Sequence, residues 1–377
     1  MELKNRYASF LQQPLYVRYI LVLTASVFMP FYISLPIIFT AFFYFMKHER
    51  LLRTIADVPY IKLYALQGIL LLAIPLVYEN YLGFACGILF IVYFMFEFYL
   101  NRVMTQKLCD QITGLISVMS LICAIIAIWQ RIFGLQTRVM SLTYNPNYYA
   151  YIIELAVIVC LYQYITSKKP VYMLIILFNI SALFLTECRS AWVALMIAIL
   201  VFLGILKKKK AILISFICAG VILVLVYVNP LLTLRYSSID PSLTTRLDIW
   251  GAALLDFSHH PIFGRGLLGF LQYSGSMLTV HAHNLLFDLL ECTGVVGTAI
   301  VGVFVWSMIR QLAKSFRLGD QQIRARVALC AGVITATLVH GIPDIPVMGI
   351  NTGLFCLLLF ALRPNLDNEM PANRDLS

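Results

Sequence analysis

The stretch from Thr244 to Gly297 holds residue types that could carry out chemistry. His281 and His283 stand just before an apolar segment, and a histidine can take up and release a proton near neutral pH. We therefore expect a general base at this point of the chain. If both residues were helical, their side chains would point about 200° apart, so one is expected to be the base and the other its support.

Polar residues continue into the apolar segment after these histidines. Asn284, Asp288 and Glu291 recur at i, i+4 and i+7, which places them on one face of a helix. A polar stripe inside a membrane span must face the helix bundle or an aqueous cavity. Hydrogen bonds between helices would explain it, and the adjacent histidine favours a cavity.

Two arginines are candidates for binding an anion. Arg189 lies in a turn between two apolar segments, beside Glu187 and Ser190, and Arg246 lies in the first turn of a predicted helix. A planar guanidinium group matches the oxygens of a phosphate. Alternatively, Arg189 snorkels to the membrane surface or pairs with Glu187, and Arg246 lies on a solvated helix face.

The predicted helix that carries Arg246 is short and amphipathic, and we expect it to lie on a membrane surface. Its apolar residues recur at helical spacing: Leu247, Trp250, Leu254 and Phe257. The helix should end at the sequence His259-His260-Pro261. The glycines that follow would allow close backbone approach to a bulky group, although a plain flexible loop explains them as well: Gly264, Gly266 and Gly269.

Composition identifies the class of protein that holds these residues. Hydrophobic residues make up 61% of the 377 positions and charged residues 12%, whereas soluble domains carry about 25% charged residues. The fold class is therefore all-α and polytopic in a membrane. The nine cysteines lie mostly in apolar segments without metal-ligand spacing, so neither a disulfide framework nor a zinc site is expected.

A bilayer is crossed by about 20 apolar residues. On this basis the sequence predicts twelve spans, at 16–30, 31–46, 60–78, 81–100, 112–132, 148–165, 170–187, 190–206, 210–228, 283–309, 326–341 and 345–362. The chain is expected to be one integral membrane domain over 1–377. It divides into N-terminal spans at 1–132, a catalytic region at 133–362 with a long outer loop at 229–282, and a tail at 363–377.

All lysines of the chain fall on one side of this map. Cytoplasmic loops collect basic residues, so both termini should be cytoplasmic and the candidate site should lie outside. The net charge of +10 is then a signal of topology, and no nucleic-acid partner is expected. His340 and Asp344 close the outer end of the eleventh span, where they could orient the base or the acceptor, or cap the helix.

Four ordered pieces of the sequence resemble the O-antigen ligase and polymerase family, over roughly residues 140 to 350. They are Asn145-Pro146-Asn147, the turn Arg189-Ser190-Ala191-Trp192, the segment from Arg246 to Trp250 followed by Pro261, Gly264 and Gly266, and His283-Asn284 followed after nine residues by Gly294-Val295-Val296-Gly297. The turn reads Cys-Arg-Ser here, where the family commonly has Ser-Arg-Gly.

The resemblance implies a GT-C-like membrane enzyme without cofactor or metal. It would transfer glycan, with inversion, from an undecaprenyl pyrophosphate carrier on the outer leaflet of the bacterial cytoplasmic membrane. The acceptor would be a glycan, a lipid or a wall polymer. By position His283 would be the base, and Arg189 and Arg246 would bind the pyrophosphate. The expected supporting residues are His281, Asn284, Asp288, Arg265, His340 and Asn147.

Ligase and polymerase differ only in the acceptor, and the lack of a large soluble domain favours a polymerase slightly. A flippase or other transporter of lipid-linked oligosaccharide is the alternative, but it would need polar residues along a path to both faces. A glycosyltransferase with an acidic base in its first outer loop is disfavoured, because the loop around Pro30 holds no acid.

Overall fold

The computed structural model describes residues 10–134, 136–228, 239–273 and 279–366, and the regular elements in these ranges are helices. They are α1 (Leu15–Ser26), α2 (Phe31–His48), α3 (Leu51–Ile55), α4 (Ile61–Val77), α5 (Tyr81–Val103), α6 (Gln106–Ile132), α7 (Pro146–Ser167), α8 (Val171–Leu185), α9 (Arg189–Ile205), α10 (Lys209–Val228), α11 (Ile239–His259), α12 (Gly269–Tyr273), α13 (Leu285–Leu318), α14 (Gln321–His340) and α15 (Ile350–Ala361). A 3-10 helix, Pro346–Met348, precedes α15.

Each of the twelve predicted spans overlaps one of these helices. Six of the described helices, α2, α5, α6, α7, α13 and α14, are long and apolar enough to cross a membrane. Five more, α1, α4, α8, α9 and α15, are apolar and 10–17 residues long. The protein is therefore an all-helical membrane protein, while the count of twelve crossings and the GT-C-like arrangement stay predictions.

The connection expected at 310–325 is largely helical instead. α13 continues to Leu318, and α14 begins at Gln321 after the cap residue Asp320. Met308, Leu312 and Ser315 recur at helical spacing and are buried, so the charged residues between them occupy the exposed face of a helix. The prediction of a connection at 310–325 therefore took the polar face of a helix for a polar loop.

α7 lies at the centre of the bundle, packed against α6, α8, α9 and α14. Most of its residues are apolar and buried, and they lie on all sides, as expected for a helix surrounded by others. The Asn145 side chain accepts a hydrogen bond from the N–H of Asn147, and Pro146 occupies the first turn, where its missing N–H costs nothing. The Asn-Pro-Asn sequence is thus the N-terminal cap of the central helix.

α13 is kinked at Gly294, whose φ of 61° lies in the left-handed region. Residues 261–266 run against the kink and exchange four backbone hydrogen bonds with it: Arg265 N–H to Glu291 O, Gly266 N–H to Cys292 O, Val295 N–H to Pro261 O, and Val296 N–H to Ile262 O. The segment supplies partners that the kinked helix cannot supply itself.

This packing explains the glycines between α11 and α13 and corrects the expectation for them. A Cβ atom at Gly264 would lie 2.4 Å from the carbonyl carbon of Cys292. The bulky group that Gly264 approaches is therefore the backbone of α13. A flexible loop is also the wrong description, because the backbone here is hydrogen-bonded at 2.8–3.1 Å.

α11 is longer than expected, with 21 residues from Ile239, and it ends at His259 as predicted. Its buried face holds Ile249 and Ala253, whereas the predicted apolar residues Leu247 and Leu254 remain 53% and 42% exposed. At about 100° per residue, the buried pair lies about 130° around the helix from the exposed pair. α11 packs against α13, while Leu247 and Leu254 remain exposed.

Candidate active site

His283 lies beside a carboxylate that is 61 residues away in the sequence. Its Nδ1 is 3.1 Å from Oδ1 of Asp344, which lies in the connection after α14. Burial raises the pKa of Asp344, but the hydrogen bond and charge of His283 outweigh burial and hold that pKa below its usual range. An ionised carboxylate only accepts hydrogen bonds, so Nδ1 carries the proton and Nε2 is the basic nitrogen.

The backbone around His283 is held from three sides. His283 has a φ of 48°, an uncommon left-handed conformation for a residue with a side chain. The next residue, Asn284, caps α13 by accepting hydrogen bonds from the N–H groups of Leu286 and Phe287, and it donates to the Ile342 carbonyl. Trp250 on α11 donates from Nε1 to the His283 carbonyl, at 3.3 Å. Such strain persists only where neighbouring contacts fix it.

His281 is buried directly beside the base. The two imidazole rings are 4.4 Å apart, and the N–H of His283 donates to Nδ1 of His281. Burial lowers the pKa of His281 to about 4, nearby His283 also lowers it, and Asp344 acts in the opposite sense. Neither histidine is helical, because α13 begins at Leu285, so both approach one site with His281 as a neutral support.

A hydrogen-bonded series extends from Asp344 to an arginine. Asn147 donates to Oδ2 of Asp344 at 2.8 Å, and Arg138 donates to Oδ1 of Asn147 at 2.6 Å. Arg138 also donates to the carbonyl of Thr186, in the turn before α9. Asn147, one of the expected supporting residues, thus lies in contact with Asp344 and lines the neighbouring cavity; its role stays a prediction. Arg138 had no local signal beyond being an arginine on the predicted outer side.

Three arginines line a cavity of about 230 Å³ next to this series. They come from three segments of the chain: Arg138, Arg189 and Arg246. Arg189 is the first residue of α9, whose N-terminus has no side-chain cap and adds positive potential. Glu187 supplies negative charge to the same lining. The excess of positive charge suits an anion.

The cavity and the base share their walls. Asn147 and Pro343 both line the cavity, and they are the hydrogen-bond partner and the chain neighbour of Asp344. An anion held by the arginines would thus sit across Asp344 from the imidazole of His283.

His340 lies beneath the Arg189 turn and does not contact the base. Its Nδ1 is 2.9 Å from Oε2 of Glu154, and its Nε2 is 3.3 Å from Oγ of Ser190. Both members of the pair are fully buried. Of the two residues that close α14, Asp344 is the one that contacts His283. Glu154 was overlooked, although its spacing of seven from Asn147 places both on one face of α7.

The polar stripe on α13 does not line the arginine cavity. Asn284 is the helix cap, and Asp288 is buried with Oδ1 accepting from the Ala282 N–H, which holds the segment that carries both histidines. Glu291 is buried and accepts from the Cys292 thiol. The stripe faces the protein because the first turn of α13 needs partners for its own and neighbouring N–H groups.

Arg265 is likewise not brought to the cavity. It forms an ion pair with the buried Asp256 at 3.1 Å, and its guanidinium lies over the rings of Tyr78 and Tyr273. These contacts fix the segment that supports the kink of α13. The expectation that Arg265 belongs to the site is therefore not met, because its charge is neutralised by Asp256.

Two groups of described residues could offer three ligand atoms each to a metal ion. One consists of His281, His283 and Asp344, and its atoms lie within 4.8 Å of one another. There Asp344 already accepts from His283, and Nδ1 of His281 accepts from a backbone N–H. The other group is Asp288, Glu291 and Cys292, fully buried beneath it. The metal-free site stays a prediction.

Residues 172–302 match the family model described as O-antigen ligase. Over this segment, about a third of the chain, the protein is similar to the O-antigen ligase family. No curated protein matches the chain. The O-antigen ligase segment includes Arg189, Arg246, both site histidines and the kink of α13, while Asn147 and Asp344 lie outside it. This similarity points to glycan transfer in surface polysaccharide synthesis, and it lends no support to the transporter alternative.

Proposed function

We propose that this protein is a membrane enzyme of the O-antigen ligase type and moves glycan from a polyprenyl pyrophosphate carrier, of the undecaprenyl type, to an acceptor hydroxyl. The observation that carries the proposal is the juxtaposition of a histidine–carboxylate pair with a cavity lined by three arginines. Pyrophosphate is a good leaving group, so the reaction needs a base for the nucleophile and positive charge for the leaving group.

His283 would act as the base. With its Nδ1 proton donated to Asp344, Nε2 takes the proton of the acceptor hydroxyl while that oxygen attacks the anomeric carbon. The bond from this carbon to the pyrophosphate oxygen breaks, and the carrier leaves with the electron pair. One displacement from the opposite face inverts the configuration at the carbon, and the proton leaves His283 to water afterwards. Asp344 stabilises the imidazolium that forms.

Arg189 and Arg246 would bind the pyrophosphate, and Arg138 extends this set. Each guanidinium can place two N–H donors on phosphate oxygens, and the N-terminus of α9 adds its own potential. Val193 also lines the cavity and is 50% exposed, so an apolar chain attached to the anion has an uncovered apolar wall to follow. This combination favours a lipid-linked anion over a soluble one.

The site would work without a metal, since the two arginine-bearing helices supply the charge that a metal would bring. It would face outwards from the bacterial cytoplasmic membrane with both chain termini inside, as the distribution of lysines predicts. Polymerase and ligase both remain compatible with this chemistry, because they share the donor and the base.

The arginines are tested with purified protein and a lipid-linked oligosaccharide donor. Arg189→Gln and Arg246→Gln should raise the KM for the donor at least about tenfold each, since a charged hydrogen bond contributes roughly 1.5–3 kcal/mol. Lysine in their place should restore only part of the loss. Arg131→Gln is the matched control, because Arg131 donates to backbone carbonyls outside the cavity. Unchanged donor KM in both glutamine variants would refute the pyrophosphate site.

The acceptor is tested in the host by removing the gene and running the surface glycan on a gel. A polymerase defect leaves single repeats attached, and a ligase defect removes the attached glycan altogether. Unchanged surface glycan of normal length would refute the proposed function.

A further inference from the structure

A second cavity lies far from the candidate active site. It measures about 1000 Å³ and is enclosed by the start of α4, the end of α5, the last turns of α13 and the chain after α15. α13 begins beside His283, and Arg310 lies 25 residues after Leu285. Along the part of α13 after its kink, the 15 residues from Val295 to Arg310 alone span about 22 Å at roughly 1.5 Å per residue. The cavity therefore opens at the opposite end of the bundle.

Positive charge dominates this cavity. Arg310, Lys314 and Arg317 line it from successive turns of α13, all exposed, and none forms an ion pair with a described acid. Arg102 lines it from the end of α5, and the acid on the lining is Asp57. Arg310, Lys314 and Arg317 are spaced at i, i+4 and i+7, so their side chains form a single row along α13 that faces the cavity.

Arg363 also lines this cavity, but unlike the row on α13 it is paired with an acid. Arg363 is buried and bonded to the fully buried Glu97, and its Nε donates to Gln311. The charge of Arg363 is thereby neutralised. Within the part of the chain that the structure describes, no acid pairs with the row on α13 in this way.

Apolar surface stands next to the row of cations. Trp306 and Leu318 on α13 are 59% and 60% exposed, and Tyr60, which lines the cavity, is 47% exposed. Exposed aromatic residues beside basic ones are typical of the level where lipid headgroups meet hydrocarbon. A soluble anion would use the cations alone, whereas a phospholipid would also cover the apolar surface.

We propose that this cavity binds the phosphate headgroup of an anionic phospholipid, with its acyl chains along the exposed apolar side of α13. Basic pockets between membrane helices are built for this class of ligand. The site is separate from the arginine cavity near His283 and does not depend on the reaction proposed there. Its occupant would hold the end of the helix whose other end carries His283.

The experiment measures the unfolding temperature of the full chain in detergent as phosphatidylglycerol or phosphatidylcholine is added. Phosphatidylglycerol should raise this temperature and phosphatidylcholine should not. The triple variant Arg310→Gln, Lys314→Gln, Arg317→Gln should need roughly a hundredfold more phosphatidylglycerol, because each cation near an anionic lipid surface favours binding about fivefold and three are removed. The double variant Arg310→Lys, Arg317→Lys keeps the charge and should respond as the wild type does.

Lys208→Gln, Lys209→Gln, Lys210→Gln is the matched control, since these lysines are exposed and do not line the cavity. An equal loss of response in this control would overturn the site in favour of general surface charge. So would a triple variant that responds like the wild type. Inorganic phosphate is the third arm, and a shift from it that equals the lipid's would overturn the lipid as the source of the phosphate.

Discussion

Two histidine–carboxylate pairs lie near each other in this protein and have the same chemical groups, but they differ in solvent exposure and in backbone conformation. His283 and Asp344 are joined at 3.1 Å, and His340 and Glu154 at 2.9 Å. The side chain of His283 is 32% exposed and its backbone is in a strained conformation, whereas both members of the second pair are fully buried and His340 ends a regular helix.

The difference shows that solvent access decides what such a pair can do. A base must reach the hydroxyl that it deprotonates, and only the first pair has an open side. The second pair joins α7, α9 and α14 through Glu154, Ser190 and His340, which is a structural task. We therefore expect the first pair to govern the rate and the second to govern stability.

Replacing His283 with alanine tests this division most strongly. Transfer should fall by about 10²–10⁴-fold, the usual contribution of a general base. The protein should stay folded in the membrane, because the side chain is partly exposed. The measurement is glycan transfer by purified protein, with His259→Ala as control because His259 is exposed at the end of α11. Full transfer by the His283 variant would show that this pair does not hold the base.

Replacing Glu154 with alanine should have the opposite profile. It leaves His340 without its buried partner, which costs on the order of 3 kcal/mol, and should lower the unfolding temperature clearly. Protein that remains folded should retain transfer within about tenfold of the wild type. If Glu154→Ala keeps the wild-type unfolding temperature and yet loses transfer, the buried pair takes part in the reaction and the division is wrong.

Gly294→Ala asks whether the strained geometry of the first pair depends on the kink of α13. The new Cβ would lie 2.3 Å from the Ile262 carbonyl oxygen at a φ of 61°. A left-handed residue with a Cβ costs roughly 1–2 kcal/mol before any clash. Both unfolding temperature and transfer should fall. Gly302→Ala on the same helix meets no atom within 4 Å and should be neutral, and equal effects of the two variants would remove the kink from the explanation.

The smallest expected effect concerns acid and the neutral histidine of the first site. Because the pKa of His281 is about 4 in the folded protein and ordinarily near 6.5, the unfolded chain binds more protons between these values. This stabilising contribution is complete above pH 6.5 and is lost as the pH falls towards 4. The unfolding temperature of His281→Asn should thus fall less steeply over that range. A slope identical to the wild type would show that His281 does not titrate this way.

Much of this arrangement could be predicted from local sequence. Runs of apolar residues predicted a helix for every expected span, and Asn147, Arg189, Arg246 and His283 all lie at or beside the cavity as expected. Asn147, Arg189 and His283 stand next to a helix start and Arg246 lies within α11, so residues close in sequence fix their positions.

Contacts between distant segments could not be predicted in the same way. The sequence left the roles of His340 and Asp344 open. The packing of α14 against α7 and α13 brings His340 to Glu154 and Asp344 to His283. Arg265 was misplaced for the same reason, since its partner Asp256 belongs to a different helix face than the one the apolar pattern predicted.

The hydrogen bond from Trp250 to the His283 carbonyl fixes the position of α11 relative to His283. Arg246 precedes Trp250 by four residues, so one helical turn, about 6 Å in rise, separates the residue that lines the cavity from the one that touches the base. In the proposed reaction, one turn of α11 therefore sets the distance between the leaving group and the nucleophile. A residue inserted between Arg246 and Trp250 would swing the guanidinium about 100° around the helix axis and leave His283 where it stands.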